Sequence, residues 1–404
     1  MNVLFLTIGR FESIEAHSIY ADLLRCFRNR GHEIYVITPS EKRTGKKSER
    51  LEENGAHILH IETGDVTGGS NLIRKGLAQI SVESVFIRAI KACFSDVKFD
   101  LILYTTPPIT FANVVRYVKK RDGAASYLLL KDIFPQNAVD LGMMKKRGVK
   151  GIIYRYFRAK EKKLYALSDH IGCMSQANVA YVLEHNPEIP PEKVEICPNS
   201  IALTADRFSP EQKRALREKY HLPADKTVFI YGGNLGRPQD IPFIMECLRA
   251  NKGFEDRFFV ICGTGAEYPK LRDFAEKEKP GNFLLINGLP REEYENFVGC
   301  CDIGLIFLDH RFTIPNFPSR LLSYMQNRMP VLACTDPNTD IGKVIEEGGF
   351  GWWCESSAAE NFTKTVNKAL ASDLASLGEK AFEYLKENYT DEKGCDIILR
   401  SCNR

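Results

Sequence analysis

The residue types best suited to chemistry occur in segment 231–240, YGGNLGRPQD, which holds three glycines and one arginine. Glycines between a strand and a helix let the backbone approach a ligand closely, and amides at the start of the helix attract anions. Arg237 adds a positive charge. The segment therefore predicts a phosphate-binding loop; a glycine turn that serves only strand–helix packing is the alternative.

A second candidate anion site is the segment 316–320, NFPSR. Pro318 suits the first turn of a helix that we predict over residues 318–327, and the free amides there would face a phosphate. A capped surface helix is the alternative. Together the two loops place two anion sites on neighbouring strands, as required to hold a nucleoside diphosphate.

Other nucleotide and metal chemistries have little support. Segment 7–12 has one glycine, and the turn at 263–265 also falls short of the three that a dinucleotide-binding fingerprint needs. There is no P-loop. The eight histidines form no H-E-x-x-H motif, and the twelve scattered cysteines form no C-x-x-C motif. No metal site is predicted, and we expect buried, reduced thiols.

These loops depend on a regular alternation of elements. Apolar runs that alternate with amphipathic stretches are typical of a parallel sheet covered on both faces. In the first half we predict strands at 3–8, 34–38, 58–61, 101–105 and 126–130, and helices at 16–30, 71–94 and 109–121. The rhythm continues through 194–197 and stops in a polar stretch, 199–225.

A second series follows, with predicted strands at 228–231, 258–262, 283–286, 303–307 and 331–334. The expected α/β architecture is two doubly wound, Rossmann-like domains facing a central cleft, with ligands at the carboxyl ends of the strands. The predicted boundaries are 1–202 and 203–387. Residues 388–404 are predicted to form a C-terminal helix, and the last segment, 379–402, to cross back to the first domain.

The composition limits the class of protein: 44% hydrophobic and 26% charged residues are ordinary for a globular protein. No apolar run approaches the roughly 18 residues of a spanning helix, and the start lacks signal-peptide features. We expect a cytoplasmic protein with no nucleic-acid partner. The first 202 residues carry +7 and the rest −4, which indicates different partners for the two domains, or mere drift in surface charge.

The order and spacing of several short motifs resemble the family-four, retaining, nucleotide-sugar-dependent glycosyltransferases of the GT-B fold. The motifs are GHE at 31–33, TPP at 106–108, KDIFPQ at 131–136, PN at 198–199, GNLG at 233–236, ICGTG at 261–265, PSRLLSYM at 318–325 and PVLA at 330–333. Segments 131–136 and 234–239 resemble bacterial enzymes that build capsule, exopolysaccharide or O-antigen repeats. This resemblance implies a UDP-sugar donor, often an N-acetylamino sugar, a polyprenyl diphosphate-linked acceptor, and no metal or other cofactor.

Site residues follow from the resemblance and from the strand ends. The predicted catalytic residues are Arg320, which stabilises the leaving diphosphate, and Lys131 and Asp132, which orient the acceptor; an ordinary turn cap is the alternative for Asp132. The predicted donor-binding residues are Gly233, Asn234, Arg237, Gln239, Gly263, Asn316, Ser319 and Ser323. Gly9 and His17 are predicted on the acceptor side.

The chain departs from the family pattern at the diphosphate. Many relatives carry arginine and lysine where this chain has Asn234 and Gln239. Neutral amides donate hydrogen bonds but cannot balance charge, so Arg237 and Arg320 are expected to substitute for them.

Further departures keep other functions open. Relatives carry two glutamates at the positions of Pro315 and Ser323, and often a histidine at the position of Lys131. A degenerate nucleotide-sugar-binding protein without catalysis would explain these losses. A non-hydrolysing UDP-sugar 2-epimerase shares the fold, but the loops lack its glutamate-and-histidine set.

Residues 145–163, KKRGVKGIIYRYFRAKEKK, contain nine basic residues and one acidic residue. Ile152, Ile153, Tyr156 and Phe157 recur at helical spacing, which predicts a basic amphipathic helix. Such a helix can lie on an anionic membrane, which would place the protein peripherally at the inner face of the cytoplasmic membrane. A solvated helix that packs its apolar stripe on the core is the alternative.

Overall fold

A computed structural model describes residues 1–64, 72–148, 151–204 and 208–402 of the chain. The chain forms two compact units. Unit 1 comprises Met1–Ala202 with Thr390–Arg404, and unit 2 comprises Leu203–Tyr389. Each unit has its own sheet.

Unit 1 is built on an eight-stranded sheet. Its strands are β1 Asn2–Leu6, β2 Glu33–Glu41, β3 Glu49–Glu53, β4 Ala56–Thr63, β5 Leu101–Thr106, β6 Ala125–Leu130, β7 His170–Cys173 and β8 Val194–Ile196. They are arranged in the order β3-β4-β2-β1-β5-β6-β7-β8, and all pair in parallel except β3, which runs antiparallel to β4.

Helices cover both faces of this sheet. They are α1 Ile19–Asn29, α2 Leu72–Cys93, α3 Ala112–Asp122, α4 Gln136–Asp140, α5 Gly151–Leu167 and α6 Gln176–His185. Successive side chains of a strand face opposite sides. Accordingly, Leu4 and Leu6 of β1 enter one hydrophobic core while Val3 and Phe5 enter the other. This explains why the strands read as continuous apolar runs.

Unit 2 has a six-stranded, fully parallel sheet in the order β11-β10-β9-β12-β13-β14. Its strands are β9 Thr227–Asn234, β10 Arg257–Thr264, β11 Phe283–Ile286, β12 Ile303–Phe307, β13 Val331–Thr335 and β14 Gly351–Glu355. Its helices are α7 Pro210–Lys219, α8 Ile241–Ala250, α9 Tyr268–Glu278, α10 Arg291–Gly299, α11 Arg320–Gln326, α12 Ile341–Glu347, α13 Ala359–Leu370 and α14 Leu374–Asn388.

Each sheet has a point where its strand order reverses direction. In unit 1 this switch point lies between β1 and β5, and in unit 2 it lies between β9 and β12. Doubly wound sheets bind ligands outside the carboxyl ends of the strands at such a point. The two predicted anion loops of unit 2 follow β9 and β12, so they border its switch point.

The predicted alternation is confirmed, but three strands fall outside the predicted set. Strand β3 is a polar edge strand with sequence ERLEE, so it has no apolar run. Strand β7 has only four residues, and β14 begins at a glycine. The predicted helix over 318–327 is shorter, because Pro318 and Ser319 form an i→i+3 turn before α11. Asn71 and Lys150, which belong to other predicted segments, lie outside the described residues.

The chain leaves unit 2 after Tyr389, and the last helix, α15 Asp391–Cys402, packs on α1 of unit 1. The crossing therefore begins later than residue 379, which belongs to α14. All twelve cysteines are free and ten are buried, so the expectation of buried thiols is confirmed. Within the described ranges, every helix is too short or too polar to span a bilayer.

Candidate functional site

The glycine-rich segment of unit 2 lies where β9 and β12 separate. These strands share two register pairs, whereas β9 stays paired with β10 as far as Asn234. The hydroxyl of Tyr324, a fully buried side chain of α11, fills the gap. It accepts a hydrogen bond from the Gly232 N–H at 3.2 Å and lies 3.1 Å from the Leu305 carbonyl and 3.2 Å from that of Ile230. The two strand ends are thereby fixed apart.

Arg320, the first residue of α11, reaches the same loop. Its Nη1 donates to the Gly232 carbonyl at 2.6 Å, and its Cζ lies 4.1 Å from the ring centroid of Tyr231. Burial lowers the pKa of Arg320, but Tyr231, Tyr324 and Tyr294 more than offset this and leave the pKa above its usual value. A permanently charged guanidinium thus lies against the glycine loop.

Close packing explains why glycine occupies positions 232, 233 and 263. A Cβ on Gly232 would lie 1.7 Å from the Tyr294 hydroxyl, and one on Gly263 would lie 1.9 Å from the Gly233 carbonyl. Gly233 has φ +123° and faces the Arg320 guanidinium. Only glycine fits such contacts without displacing its neighbours. Gly263, predicted to bind the donor, therefore also allows β10 to pack directly against the backbone of the glycine loop.

Of the remaining loop residues, Gln239 stabilises the loop from inside, and Asn234 and Arg237 lie at the surface. Gln239 is buried, and its Oε1 accepts from the Gly236 N–H at 3.0 Å and from Asn234 Nδ2 at 3.4 Å. Asn234 and Arg237 are exposed, with Arg237 in a short 3-10 turn. The side-chain oxygen of Gln239 thus holds the loop in shape. The exposed side chains of Asn234 and Arg237 can be reached by a ligand.

The segment after β12 carries the other predicted donor residues. Asn316 is tied down, because its backbone N–H donates to Thr339 Oγ1 at 3.1 Å. Ser319 is exposed, and its side chain makes no capping bond to α11. The Ser323 hydroxyl donates to Glu295 Oε2 at 3.2 Å. Ser323 thus contacts a carboxylate of the preceding helix, α10.

In unit 1, Lys131 and Asp132 directly follow β6 and are half-buried. Burial lowers the pKa of Lys131 to about 8, although the neighbouring thiols of Cys197 and Cys173 act in the opposite direction. Burial also raises the pKa of Asp132 to about 6, although Asn137 Nδ2 donates to it at 2.6 Å. Both side chains therefore change charge close to neutral pH.

The acceptor-side predictions lie in the segment after β1. The Gly9 N–H donates to Thr7 Oγ1 at 2.9 Å, and its carbonyl accepts from Thr38 Oγ1 at 2.8 Å. His17 is exposed and directly precedes Ser18, the N-cap of α1. This segment borders the switch point of unit 1, one strand away from the end of β6.

One group in the described part of the chain has the composition of a metal site: Asp240, Asp309 and His310, with ligand atoms within 4.8 Å of one another. Asp309 is fully buried and pairs with Arg311. Asp240 caps α8 by accepting from the Phe243 N–H at 3.4 Å. Both carboxylates thus have partners within the protein. That the enzyme works without a metal stays a prediction.

Comparison with known proteins gives matches along almost the whole chain. Residues 18–205 match the model for Glycosyltransferase Family 4, and residues 212–388 match that for Glycosyl transferases group 1. The probable glycosyltransferase WbjE of Pseudomonas aeruginosa is 25% identical over 322 residues, covering 80% of this chain and 78% of that protein. The putative colanic acid biosynthesis glycosyl transferase WcaI of Escherichia coli (strain K12) is 22% identical over 278 residues, covering 68% and 67%.

Solved structures agree on the fold. Anabaena HepE in complex with UDP-glucose matches with a TM-score of 0.71 at 13% identity, covering 100% of this chain and 99% of that one. The chain is a glycosyltransferase of the GT-B fold. The family and fold expected from the motifs are therefore confirmed.

Two features of this glycosyltransferase have no signal in the sequence. Tyr231, Tyr294 and Tyr324 surround the Arg320 guanidinium, and Glu295 holds Ser323. The three tyrosines come from β9, α10 and α11, and Glu295 and Ser323 are separated by 28 residues. Tyr324 follows Arg320 by one helical turn. No local spacing relates the other partners to α11, so only tertiary packing brings them there.

Proposed function

We propose that this glycosyltransferase moves a sugar, of the N-acetylamino type, from a UDP-sugar to a lipid-linked saccharide in cell-surface polysaccharide synthesis. The transfer retains the anomeric configuration and uses no metal. The observation that carries the proposal is the Arg320 guanidinium held against the glycine loop at a switch point. Support also comes from the UDP-glucose complex of HepE and from the name of WcaI.

The leaving UDP gains negative charge as the anomeric bond breaks, so the site must stabilise an anion. Arg320 uses one of its N–H groups on Gly232 and keeps others for phosphate oxygens. Arginine suits this task because its planar fork grips two oxygens. Positioned donors of this kind act where charge develops in the transition state. Arg237 and Asn234 supplement Arg320 from the exposed side of the loop.

Unit 1 supplies the acceptor groups in this proposal. With retention, the acceptor hydroxyl attacks the face from which UDP departs, so its orientation decides the rate. Asp132, once ionised, accepts a hydrogen bond from that hydroxyl, and Lys131 helps to orient the acceptor. Gly9 and His17 border the acceptor.

Nucleotide binding and acceptor dependence test this function together. Thermal shifts with UDP, GDP, ADP and CMP should favour UDP; a tenfold preference for GDP overturns the donor assignment. Ligand at about 100 times its Kd adds about 2.7 kcal/mol of stability. With UDP-N-acetylglucosamine and EDTA, UDP should be released only after addition of a polyprenyl diphosphate-linked sugar. A 2-epimerase converts the donor without acceptor, and a nucleotide-sugar-binding protein without catalysis releases no UDP.

The acceptor lipid leads us to propose that α5 contacts the membrane. Ile152 and Ile153 are 56% and 55% exposed, and Tyr156 is 41% exposed. Phe157 is half-buried and packs on Phe134 at 5.1 Å. Most of the apolar stripe is therefore free of the core, and a basic helix with such a face suits an anionic bilayer at the inner face of the cytoplasmic membrane.

Only part of the basic charge is available for this contact. Arg158, Lys160 and Lys162 form ion pairs within unit 1, with Glu161, Glu83 and Glu188. Lys145, Lys146 and Arg147 are exposed.

Flotation with phosphatidylglycerol vesicles tests the contact. The triple variant Lys145→Glu, Lys146→Glu, Arg147→Glu should lose most binding, since each nearby cation contributes about 1 kcal/mol. Reversal of the exposed Lys343, Lys364 and Lys368 changes the net charge equally and serves as the control. Equal binding by both variants removes the basic segment 145–163 from the proposal.

A further inference from the structure

The loop that follows β12 is held by the loop that follows the neighbouring strand, β13. Residues 308–319 connect β12 to α11 as a loop, so contacts with neighbouring segments must set the course of the chain here. The first half is tied to the glycine-rich segment, because the Asp309 N–H donates to the Pro238 carbonyl at 2.9 Å. The second half is tied to Asn338 and Thr339.

Asn338 and Thr339 each make one hydrogen bond to this loop. Asn338 Nδ2 donates to the Phe312 carbonyl at 2.6 Å, and Thr339 Oγ1 accepts from the Asn316 N–H at 3.1 Å. Phe312 and Thr339 are buried, so water does not readily replace these bonds when they are lost. The segment 312–316 is thereby fixed at both of its ends.

A single buried carboxylate orients both of these contacts. Asp336, the first residue after β13, is fully buried. Its Oδ1 accepts from the backbone N–H groups of Asn338 and Thr339, each at 2.9 Å, and its Oδ2 accepts from Thr339 Oγ1 at 2.9 Å. A hydroxyl has one proton to donate, and the Thr339 hydroxyl donates it to Asp336. Its oxygen is therefore left to accept from Asn316, as the geometry requires.

The two parts of the donor site are held independently. Arg320 is fixed by its own contacts with Gly232 and the Tyr231 ring, whereas Asn316 depends on the hydrogen bonds from the loop after β13. Loss of those hydrogen bonds should therefore displace Asn316 and leave the guanidinium in place. Donor binding should suffer more than the departure of UDP.

Resting on the proposed function, we propose that Asp336 and Thr339 are positioning residues of the donor site, which hold Asn316 where it meets the UDP-sugar. Asp336 fixes the direction of the Thr339 hydroxyl, and that hydroxyl fixes the backbone of the loop. The segment 336–339, DPNT, follows the PVLA motif and contains none of the donor-binding residues predicted from the sequence. Its role is to support the donor site from the neighbouring strand.

Matched substitutions at position 339 test this role by calorimetric titration with UDP. Thr339→Val keeps the size of the side chain and removes the hydroxyl, so the Kd for UDP should rise about fivefold to tenfold. Thr339→Ser restores the hydroxyl and should bind UDP within about twofold of the wild type. Thr365→Val is the control, because it removes a buried hydroxyl of unit 2 that donates within its own helix, to the Asn361 carbonyl at 2.9 Å. It should bind UDP normally.

Kinetics separate donor binding from chemistry. With UDP-N-acetylglucosamine, Thr339→Val should raise the donor KM by the same factor as the Kd for UDP. Turnover at saturating donor should fall less than about twofold, because Arg320 keeps its own contacts, and the acceptor KM should not change. Asp336→Asn should raise the Kd for UDP about tenfold, because the contacts of Asn338 and Thr339 both lose their orientation.

The outcomes separate a positioning role from a merely structural one, because a partly unfolded enzyme binds less UDP per chain and leaves the Kd unchanged. A normal Kd in Thr339→Val, or equal weakening in Thr365→Val, overturns the positioning role and leaves UDP as donor. Failure of Thr339→Ser to bind more tightly than Thr339→Val also overturns it. Absence of any UDP binding by the wild-type enzyme overturns the donor proposal itself.

Discussion

The strand ends of the two sheets differ in the kind of charge they carry. In unit 2 the guanidinium of Arg320 is charged at every physiological pH and is locked between Gly232 and the Tyr231 ring. In unit 1 burial brings the pKa values of Lys131 and Asp132 to about 8 and about 6. The same topology thus carries a permanent cation in one unit and a titratable pair in the other. A permanent cation suits a phosphate, and a titratable pair suits a hydroxyl.

Tight packing of the donor loop gives the largest expected effect. In Gly263→Ala the new methyl group would lie 1.9 Å from the Gly233 carbonyl, which cannot move without breaking the β9–β10 pairing. We expect the free energy of unfolding of unit 2 to fall by about 2–3 kcal/mol in urea titrations, as for other overpacked sites. UDP binding should weaken at the same time.

Gly281→Ala is the control for that substitution, because a Cβ there meets nothing within 4 Å. It should leave stability and UDP binding unchanged. If Gly263→Ala is as stable as Gly281→Ala, the loop is not held by the packing described here.

The titratable pair predicts a bell-shaped dependence of kcat/KM on pH. Activity should rise as Asp132 ionises near pH 6 and fall as Lys131 loses its proton near pH 8. Asp132→Asn should lower activity about tenfold at pH 7 and remove the rising limb, because a misplaced hydroxyl reacts slowly. Lys131→Met should remove the falling limb. Limbs that persist in both variants would show that other groups titrate.

A smaller expected effect is the pH dependence of stability that comes from Asp132. The pKa of Asp132 is raised in the folded state from 3.8 to about 6, so the folded protein binds the proton more tightly than the unfolded chain does. Stability contributed by the protonated group is present below pH 4 and is lost as the pH rises to 6. Asp132→Asn avoids this loss, and its melting temperature should exceed that of the wild type by about 2 °C at pH 7.5.

At pH 4 the melting temperatures of Asp132→Asn and the wild type should coincide. The exposed Asp225 provides the control, since Asp225→Asn should change neither value. A stabilisation of Asp132→Asn that is independent of pH would point to packing rather than to buried charge.

The fold could be predicted because buried parallel strands are continuous apolar runs, as in β12, whose ends match the predicted 303–307. Strand β3 could not, because it depends on pairing with β4 and not on burial. At the site, the glycines and Arg320 have local signals. The inward turn of Gln239 and the contact of Glu295 with Ser323 depend on side chains meeting across a loop or between helices, which spacing along the chain does not encode.

The central claim is that Arg320 stabilises departing UDP, and Arg320→Ala tests it most directly. In Arg320→Ala, turnover at saturating donor and acceptor should fall about a hundredfold, or about 2.7 kcal/mol. Arg272→Ala, which removes an exposed arginine of α9, is the control and should keep normal turnover. The Kd for UDP should rise no more than about threefold, because the contact matters most in the transition state. Adding Arg237→Ala should lower turnover further. Near-normal transfer by this double variant would contradict the account.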